Sequence, residues 1–538
     1  MNAAGRAPGR SQAGPYPLGG SADEPVGRGV HHLSLSLVSH TNAGKTTLAR
    51  TLLGRDVGAV RDAPHVTEFA DVFTMLETPA AERLLLWDTP GFGDSARLVK
   101  RLRRSANPIV WFIAEVWDRW RDRAFWASQQ AMRNVRVEAD VMLYLVNAAE
   151  SPEAAGYVAP EMELLGWIGK PVIVLLNQLG APRASALEAA ELERWRRHLA
   201  PHAQVKAVLP LDAFARCWVQ EGTLLQAVEA TLDGERRALM GRLRAAWQAQ
   251  RLQTFEAAMG SIAASLARLA GAAEEVPDPR RIGARLRQAG SSIGSSLGLR
   301  EAELAPTGLA QKALAERLDA ELRANTAELI ALHGLEGRAQ GEILARLATH
   351  FETRLHLDEG KAALWGGMVS GALVGLKADL LSGGLTLGGG LLAGGLIGAL
   401  GAAGLARCVN LVRGTERSHV AWNAEALDQL FEAALLRYLA VAHFGRGRGE
   451  WSQGESPPHW RDVVQRTLAP RRVALARVWQ ERDAHGADAG DGAAENQRLI
   501  AAALVPIVTE AASDALRSLY PDATSLGESA QPVPLSSQ

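Results

Sequence analysis

The sequence predicts an α/β protein: a doubly wound, mostly parallel sheet, followed by a mainly α-helical domain that carries a Gly-rich apolar helical hairpin. Three observations support this. From about residue 31 to 232, short apolar runs alternate with helical stretches, the pattern of a parallel sheet flanked by helices. The first run, Leu33-Ser34-Leu35-Ser36-Leu37-Val38, leads through Ser39-His40-Thr41-Asn42-Ala43-Gly44-Lys45-Thr46 into a helix-like segment ending at Leu53. Beyond residue 235 the chain is dominated by Ala, Leu, Arg and Glu with helical periodicity, until a Gly-rich uncharged stretch interrupts it.

Length and composition set the outer limits. At 538 residues, two or three domains are expected, and 47% apolar residues suffice for their cores. The 58 basic and 59 acidic residues leave a net charge of −1, so no global field draws the chain to nucleic acid or an anionic bilayer. Cys217 and Cys408 lie far apart and form no metal or redox pattern, which fits a reducing cytosol. Residues 1–30, rich in Gly, Pro, Ala and Arg, read as a disordered tail and not as a signal peptide.

Candidate strands lie at 33–38, 68–76, 83–88, 140–147, 172–177 and 205–209. A loop ending in Gly44-Lys45-Thr46 between strand and helix offers backbone N–H groups and a helix N-terminus to phosphate. Lys45 adds a charge and Thr46 a hydroxyl for magnesium. Ser39 stands where such loops ordinarily begin with Gly. A second motif follows 43 residues after Lys45: the strand Leu84-Leu85-Leu86-Trp87 ends in Asp88-Thr89-Pro90-Gly91. An Asp at a strand's end can hold a magnesium shell, and Gly91 lets an N–H approach a γ-phosphate.

Asn42-Ala43-Gly44-Lys45-Thr46-Thr47 followed by Trp87-Asp88-Thr89-Pro90-Gly91-Phe92 resembles the Era-like P-loop GTPases of the translation-factor-related class, over roughly residues 31–232. The resemblance implies a P-loop NTPase fold binding GTP and GDP, with Ser39 and Asn42 to Thr47 around the phosphates and Lys45 on the β/γ-phosphates. It also implies Thr46 on magnesium and Asp88 reaching magnesium through water. A switch threonine is implied as well, taking part in catalysis with Lys45 and Gly91 and also binding the metal. Thr67, immediately before the second strand, is the best match, and Thr74 within that strand is the rival. Phe92 occupies the position where Ras-like enzymes carry a water-orienting Gln. Some Era-like GTPases instead use potassium held partly by the loop Asn, so Asn42 either helps bind K+ or hydrogen-bonds within the loop.

The base-recognition box departs from the family pattern. Where Asn-Lys-x-Asp is expected, the chain reads Asn177-Gln178-Leu179-Gly180: Asn177 matches, Gln178 replaces the stacking Lys, and Gly180 removes the Asp that accepts from guanine. Loss of that acceptor weakens discrimination against adenine. The last box corresponds to Leu211-Asp212-Ala213, where Asp212 is the candidate substitute acceptor. Guanine therefore rests on the resemblance.

Between Asp94 and the strand Val141–Val146, the segment 95–138 is basic at Lys100-Arg101-Leu102-Arg103-Arg104, then aromatic at Trp111, Phe112, Trp117, Trp120, Phe125 and Trp126. It falls where a second switch helix belongs. Its aromatics read either as ordinary core, the favoured reading, or as a surface reporting nucleotide state to a partner.

In the C-terminal half, breaks fall at Pro277-Asp278-Pro279, at 290–298 and at Pro306, with helices expected through 422–442 and near 459–482 and 497–520. Leu380–Ala406 is uncharged for 27 residues, and glycines recur every fourth position at Gly367, Gly371, Gly375 and at Gly390, Gly394, Gly398. That spacing puts each trio on one helix face, open to close packing. The 27-residue arm could span a hydrocarbon core of roughly 30 Å, whereas the 15 uncharged residues of 362–376 reach only about 22 Å. A buried hairpin and a membrane segment are both consistent with this.

The expected division is a disordered tail at 1–30, a GTPase domain at 31–232, a helical domain at 233–360, the hairpin at 361–412, a helical continuation at 413–522 and a tail at 523–538. This organisation, with Val208-Leu209-Pro210-Leu211-Asp212-Ala213-Phe214-Ala215-Arg216-Cys217-Trp218, is similar to bacterial GTPases whose C-terminal domain has no assigned function. The expectation is a cytoplasmic switch hydrolysing GTP with Mg2+, near or in the inner membrane through residues 361–412, acting on an unidentified protein effector. The alternatives are a membrane-anchored scaffold or remodelling protein that self-associates as a homo-oligomer with nucleotide, and a non-hydrolysing nucleotide-binding module. No nucleic-acid-binding module is visible.

Overall fold

The computed structural model describes residues 31–41, 43–54, 71–92, 94–103, 123–179, 185–213, 217–276, 306–335, 409–413, 418–444, 458–484 and 491–521. Among these, six strands form one sheet: β1 (His32–Ser39), β2 (Asp71–Glu77), β3 (Arg83–Asp88), β4 (Val141–Asn147), β5 (Val172–Asn177) and β6 (Val205–Pro210), in the order β2-β3-β1-β4-β5-β6. Only β2 runs antiparallel, against β3; β1, β3, β4, β5 and β6 pair in parallel. The expected α/β class with a mostly parallel sheet is the observed one.

Period-two alternation divides the core between the two faces of the sheet. Leu33, Leu35, Leu37, Val141, Leu143, Leu145, Ile173 and Leu175 pack on one face. There they meet α1 (Lys45–Leu53), α6 (Trp218–Ala230) and α7 (Gly234–Ala270). Met142, Tyr144, Val146, Val172, Val174 and Leu176 point to the other face. These meet α2 (Ser95–Leu102), α3 (Arg123–Glu138), α4 (Val158–Ile168) and α5 (Ser185–Leu199), the last through the fully buried Trp195. Because both faces are covered, the central strands read as near-continuous apolar runs.

Helix α7 has 37 residues, so it extends about 55 Å. Near its start Arg236 pairs with Asp140 at 2.7 Å and Arg242 with Glu82 at 2.8 Å. Further along, Trp247 and Phe255 close on Trp218 of α6, with ring centroids 6.4 and 6.2 Å away. Beyond it lie α8 (Pro306–Leu332), α9 (Ala424–Ala442), α10 (Pro458–Leu468), α11 (Arg472–Ala484) and α12 (Asp491–Leu519). Their buried residues join those of the sheet's α1/α6 face in one continuous apolar core.

Three features depart from the sequence expectations. Residues 273–275 (β7), 409–413 (β8) and 418–422 (β9) form a second, antiparallel sheet in the order β7-β9-β8, within regions expected to be helical. Residues 409–412 therefore belong to a strand and not to the expected 361–412 hairpin; the rest of that range lies outside the described residues. The helix expected near 459–482 is two helices separated by a 3-10 turn, Ala469–Arg471, where Pro470 supplies no backbone N–H. The tails expected at 1–30 and 523–538 and the aromatics Trp111, Phe112, Trp117 and Trp120 also lie outside the described residues. Among the described residues, one helical stretch, Ala493–Leu519, is long and apolar enough to cross a membrane, and it packs closely along α7.

Candidate nucleotide site

The site lies at the C-terminal ends of β1 and β3, where parallel sheets of this kind open a crevice. The β1–β3 register pairs Leu37 with Asp88, which brings the end of β3 beside the loop leaving β1. Gly44 closes that loop at φ 89°, and a Cβ there would lie 2.7 Å from Asn177 Nδ2, so both backbone and space require glycine. Helix α1 starts at Lys45 with its first N–H groups directed into the loop.

Lys45 is buried, and its Nζ donates to Ser39 Oγ at 2.9 Å. The serine that replaces the usual loop-opening glycine thus holds the lysine. Burial pushes Lys45 below the ordinary lysine range, while Asp88 and Glu161 pull it back up. Thr46 Oγ1 donates to Asp88 Oδ2 at 2.6 Å. Asp88 Oδ1 is buried without a hydrogen-bond partner among the described residues. Burial pushes Asp88 up to about 6, with the Thr46 hydroxyl and the Lys45 ammonium acting against it. A buried carboxylate with an idle oxygen, next to a threonine hydroxyl, is the donor set a hard divalent cation takes, so the residues present fit magnesium.

A Cβ on Gly91 would meet Lys45 Nζ and Thr41 Cα at 3.0 Å, which reserves this position for glycine. Phe92 N donates to Ser39 O at 2.9 Å, and Thr41 donates to Phe92 O through both N and Oγ1, at 3.2 and 2.9 Å. The Phe92 ring is fully buried against Leu98, Val38 and their neighbours, so it cannot orient water. Thr47 is buried in the first turn of α1.

Toward the expected base side, Asn177 is fully buried with both ends of its amide in use. Nδ2 donates to Ala43 O and Oδ1 accepts from Ala213 N, each at 2.8 Å. Asp212 Oδ2 accepts from Leu179 N at 2.8 Å, so the proposed substitute acceptor ties two loops together. Thr51 Oγ1 on α1 donates to Ala213 O at 2.9 Å. Gln178 adopts φ 58°, and its Nε2 lies 3.8 Å from the Cβ position of Gly44. Asn42, Thr67 and Gly180 lie outside the described residues. The rival Thr74 is exposed mid-strand opposite Leu85, whereas Asp71 is the residue opposite Asp88. Three residues along a strand place Thr74 about 10 Å from the site.

Residues 34–178 match the family model described as a 50S ribosome-binding GTPase. Residues 34–178 are thus similar to a GTPase family over the part of the chain that forms the mostly parallel sheet. Residues 355–504 match a domain of unknown function, DUF3482, which fits the helical region. Among solved structures, the chain is similar to Era from Aquifex aeolicus bound to GDP and aluminium fluoride, at 16% identity over 38% of this chain and 58% of that one, with a TM-score of 0.28. Era in complex with MgGDPNP and a 16S ribosomal RNA segment gives the same identity, coverage and score. A probable GTP-binding protein engB matches at 14% identity over 33% of this chain and 88% of that one, with a TM-score of 0.21. The chain spans 58% of the length of the two Era structures. No curated protein matches.

The six-stranded-sheet region also contains a polar cluster that its sequence did not single out. His40 Nδ1 lies 2.8 Å from Glu161 Oε1, and Tyr144 OH donates to Glu161 Oε2 at 2.7 Å. Glu161 is fully buried on α4, and burial pushes it above the ordinary carboxylate range while His40 and Tyr144 hold it down. The signal was present in the sequence: Glu161 falls in the buried stripe Val158, Met162, Leu165 at helical spacing, where a carboxylate needs partners.

Proposed function

We propose that the chain binds GTP with magnesium and hydrolyses it, working as a nucleotide-dependent switch. The observation that carries this reading is the Thr46–Asp88 hydrogen bond with Asp88 Oδ1 left idle, beside a buried Lys45 held by Ser39. In this reading Lys45 neutralises the β/γ-phosphates, the N–H groups opening α1 take the phosphate oxygens, and Gly91 presents its N–H to the γ-phosphate. Thr46 and Asp88 would hold magnesium, which when bound neutralises charge developing on the phosphates. Thr67 is proposed as the switch threonine on its place before β2. With a buried Phe92 standing where Ras-like enzymes carry the water-orienting Gln, slow intrinsic turnover is expected. Asn42 is proposed to help hold potassium; equal turnover in sodium and potassium would remove that role.

Guanine as the base rests on the family resemblance, since Asn177 and Asp212 are engaged with the loops. A binding titration of GTP, ATP and XTP, with Lys45→Ala as the blank, tests the whole reading. Tight GTP binding lost in the variant supports it, and equal binding of ATP removes guanine specificity. Membrane proximity is proposed on the uncharged composition of residues 380–406. Full release of the chain from membranes by carbonate would rule out insertion.

A further inference from the structure

The proposed function leaves a buried carboxylate beside the phosphate loop unused. Glu161 is fully buried, and a carboxylate near a phosphate site repels the ligand unless a donor neutralises it. His40 meets one of its oxygens at 2.8 Å and Tyr144 the other at 2.7 Å. The His40 ring stacks on Tyr157, with centroids 4.6 Å apart and planes inclined by 18°, which fixes its rotation. This is the arrangement in which a buried acid orients an imidazole and the imidazole positions what lies beyond it.

What lies beyond His40 is the γ-phosphate turn. The backbone of His40 bridges to Phe92, with Phe92 N on Ser39 O and Thr41 N on Phe92 O. Phe92 directly follows Gly91, whose Cβ position is 3.0 Å from Lys45 Nζ. The residues on either side of His40 thus hold Phe92, and with it the adjoining Gly91, by backbone hydrogen bonds.

Resting on the reading of this site as a GTP site, we propose that Glu161 and His40 are positioning residues that hold Gly91 at the γ-phosphate and so set the preference for GTP over GDP. GDP needs Lys45 and the α1 N-terminus but not Gly91, so the pair acts on one nucleotide more than on the other.

The test measures GTP and GDP affinities of the full chain by displacement of a fluorescent nucleotide, with the thermal midpoint of each variant recorded. His40→Ala is expected to lose GTP affinity about tenfold, with GDP affinity changed less than about twofold, the scale of one charge-assisted hydrogen bond. His40→Asn, whose amide Nδ2 can take the place of the ring Nδ1 and donate to Glu161, is expected to recover most of that loss. Glu161→Gln, which keeps shape and removes charge, is expected to lower the GTP-to-GDP preference without unfolding the chain. Equal weakening of both nucleotides in His40→Ala, no recovery in His40→Asn, or an unchanged preference in Glu161→Gln would overturn the proposal alone. Absence of GTP binding by the wild-type chain would overturn it together with the reading on which it rests.

Discussion

Thr46 Oγ1 donates to Asp88 Oδ2 at 2.6 Å, joining the first turn of α1 to the end of β3 across the proposed phosphate site. The bond orients a carboxylate whose other oxygen has no partner among the described residues. Replacing Thr46 with Val keeps the volume and removes the hydroxyl. The magnesium concentration needed for half-maximal GTP binding should then rise roughly 10–100-fold, the usual cost of losing a ligand or its orienting partner. An unchanged magnesium requirement would separate this pair from metal binding.

Asn177 links three segments, accepting from Ala213 N and donating to Ala43 O. Asn177→Ala leaves a buried N–H and a buried C=O without partners, at about 1–3 kcal/mol each. The variant should melt at lower temperature and bind GTP and GDP weaker by a similar factor, since Ala43 belongs to the loop both would share. Calorimetry and nucleotide titration check this together.

The helical region and the sheet share one core, in which Trp247 and Phe255 of α7 meet Trp218 of α6. Trp247→Ala should cost about 3–5 kcal/mol. Loss of nucleotide binding and loss of helical circular dichroism should shift together to lower denaturant, as one cooperative transition requires. Two separated transitions would show that the regions unfold independently.

His443 lies between Trp460 and Tyr520, and burial pushes it down to about 4 from 6.5 despite the Leu439 carbonyl. The folded chain therefore keeps the ring neutral where the unfolded chain takes up a proton. Its contribution to stability is complete above pH 6.5 and lost as pH falls toward 4, roughly 3 kcal/mol in all. His443→Phe should flatten the acid limb, reducing the stability difference between pH 7.5 and 4.5 by about 2–3 kcal/mol in urea unfolding. An unchanged acid limb would place the titration elsewhere.

The sheet was legible because buried parallel strands announce themselves as apolar runs, and Lys45, Thr46, Asp88 and Gly91 because they stand where two such runs end. The second sheet was not. Ala273-Glu274-Glu275 has no strand-favouring residue and becomes β7 only by pairing with β9, a partner almost 150 positions away in sequence. The His40–Glu161 pair was hidden for a related reason: its members lie 121 positions apart. The role of Ser39 was equally invisible, since it depends on where Lys45 Nζ comes to rest.

The most direct measurement is magnesium-dependent phosphate release from GTP by the full chain, compared with Lys45→Ala and Asp88→Asn. Magnesium-dependent hydrolysis at Lys45 and Asp88 requires slow release that falls roughly 10²-fold or more in each variant. Release by either variant at the wild-type rate, or none from the wild-type chain with magnesium present, would contradict it.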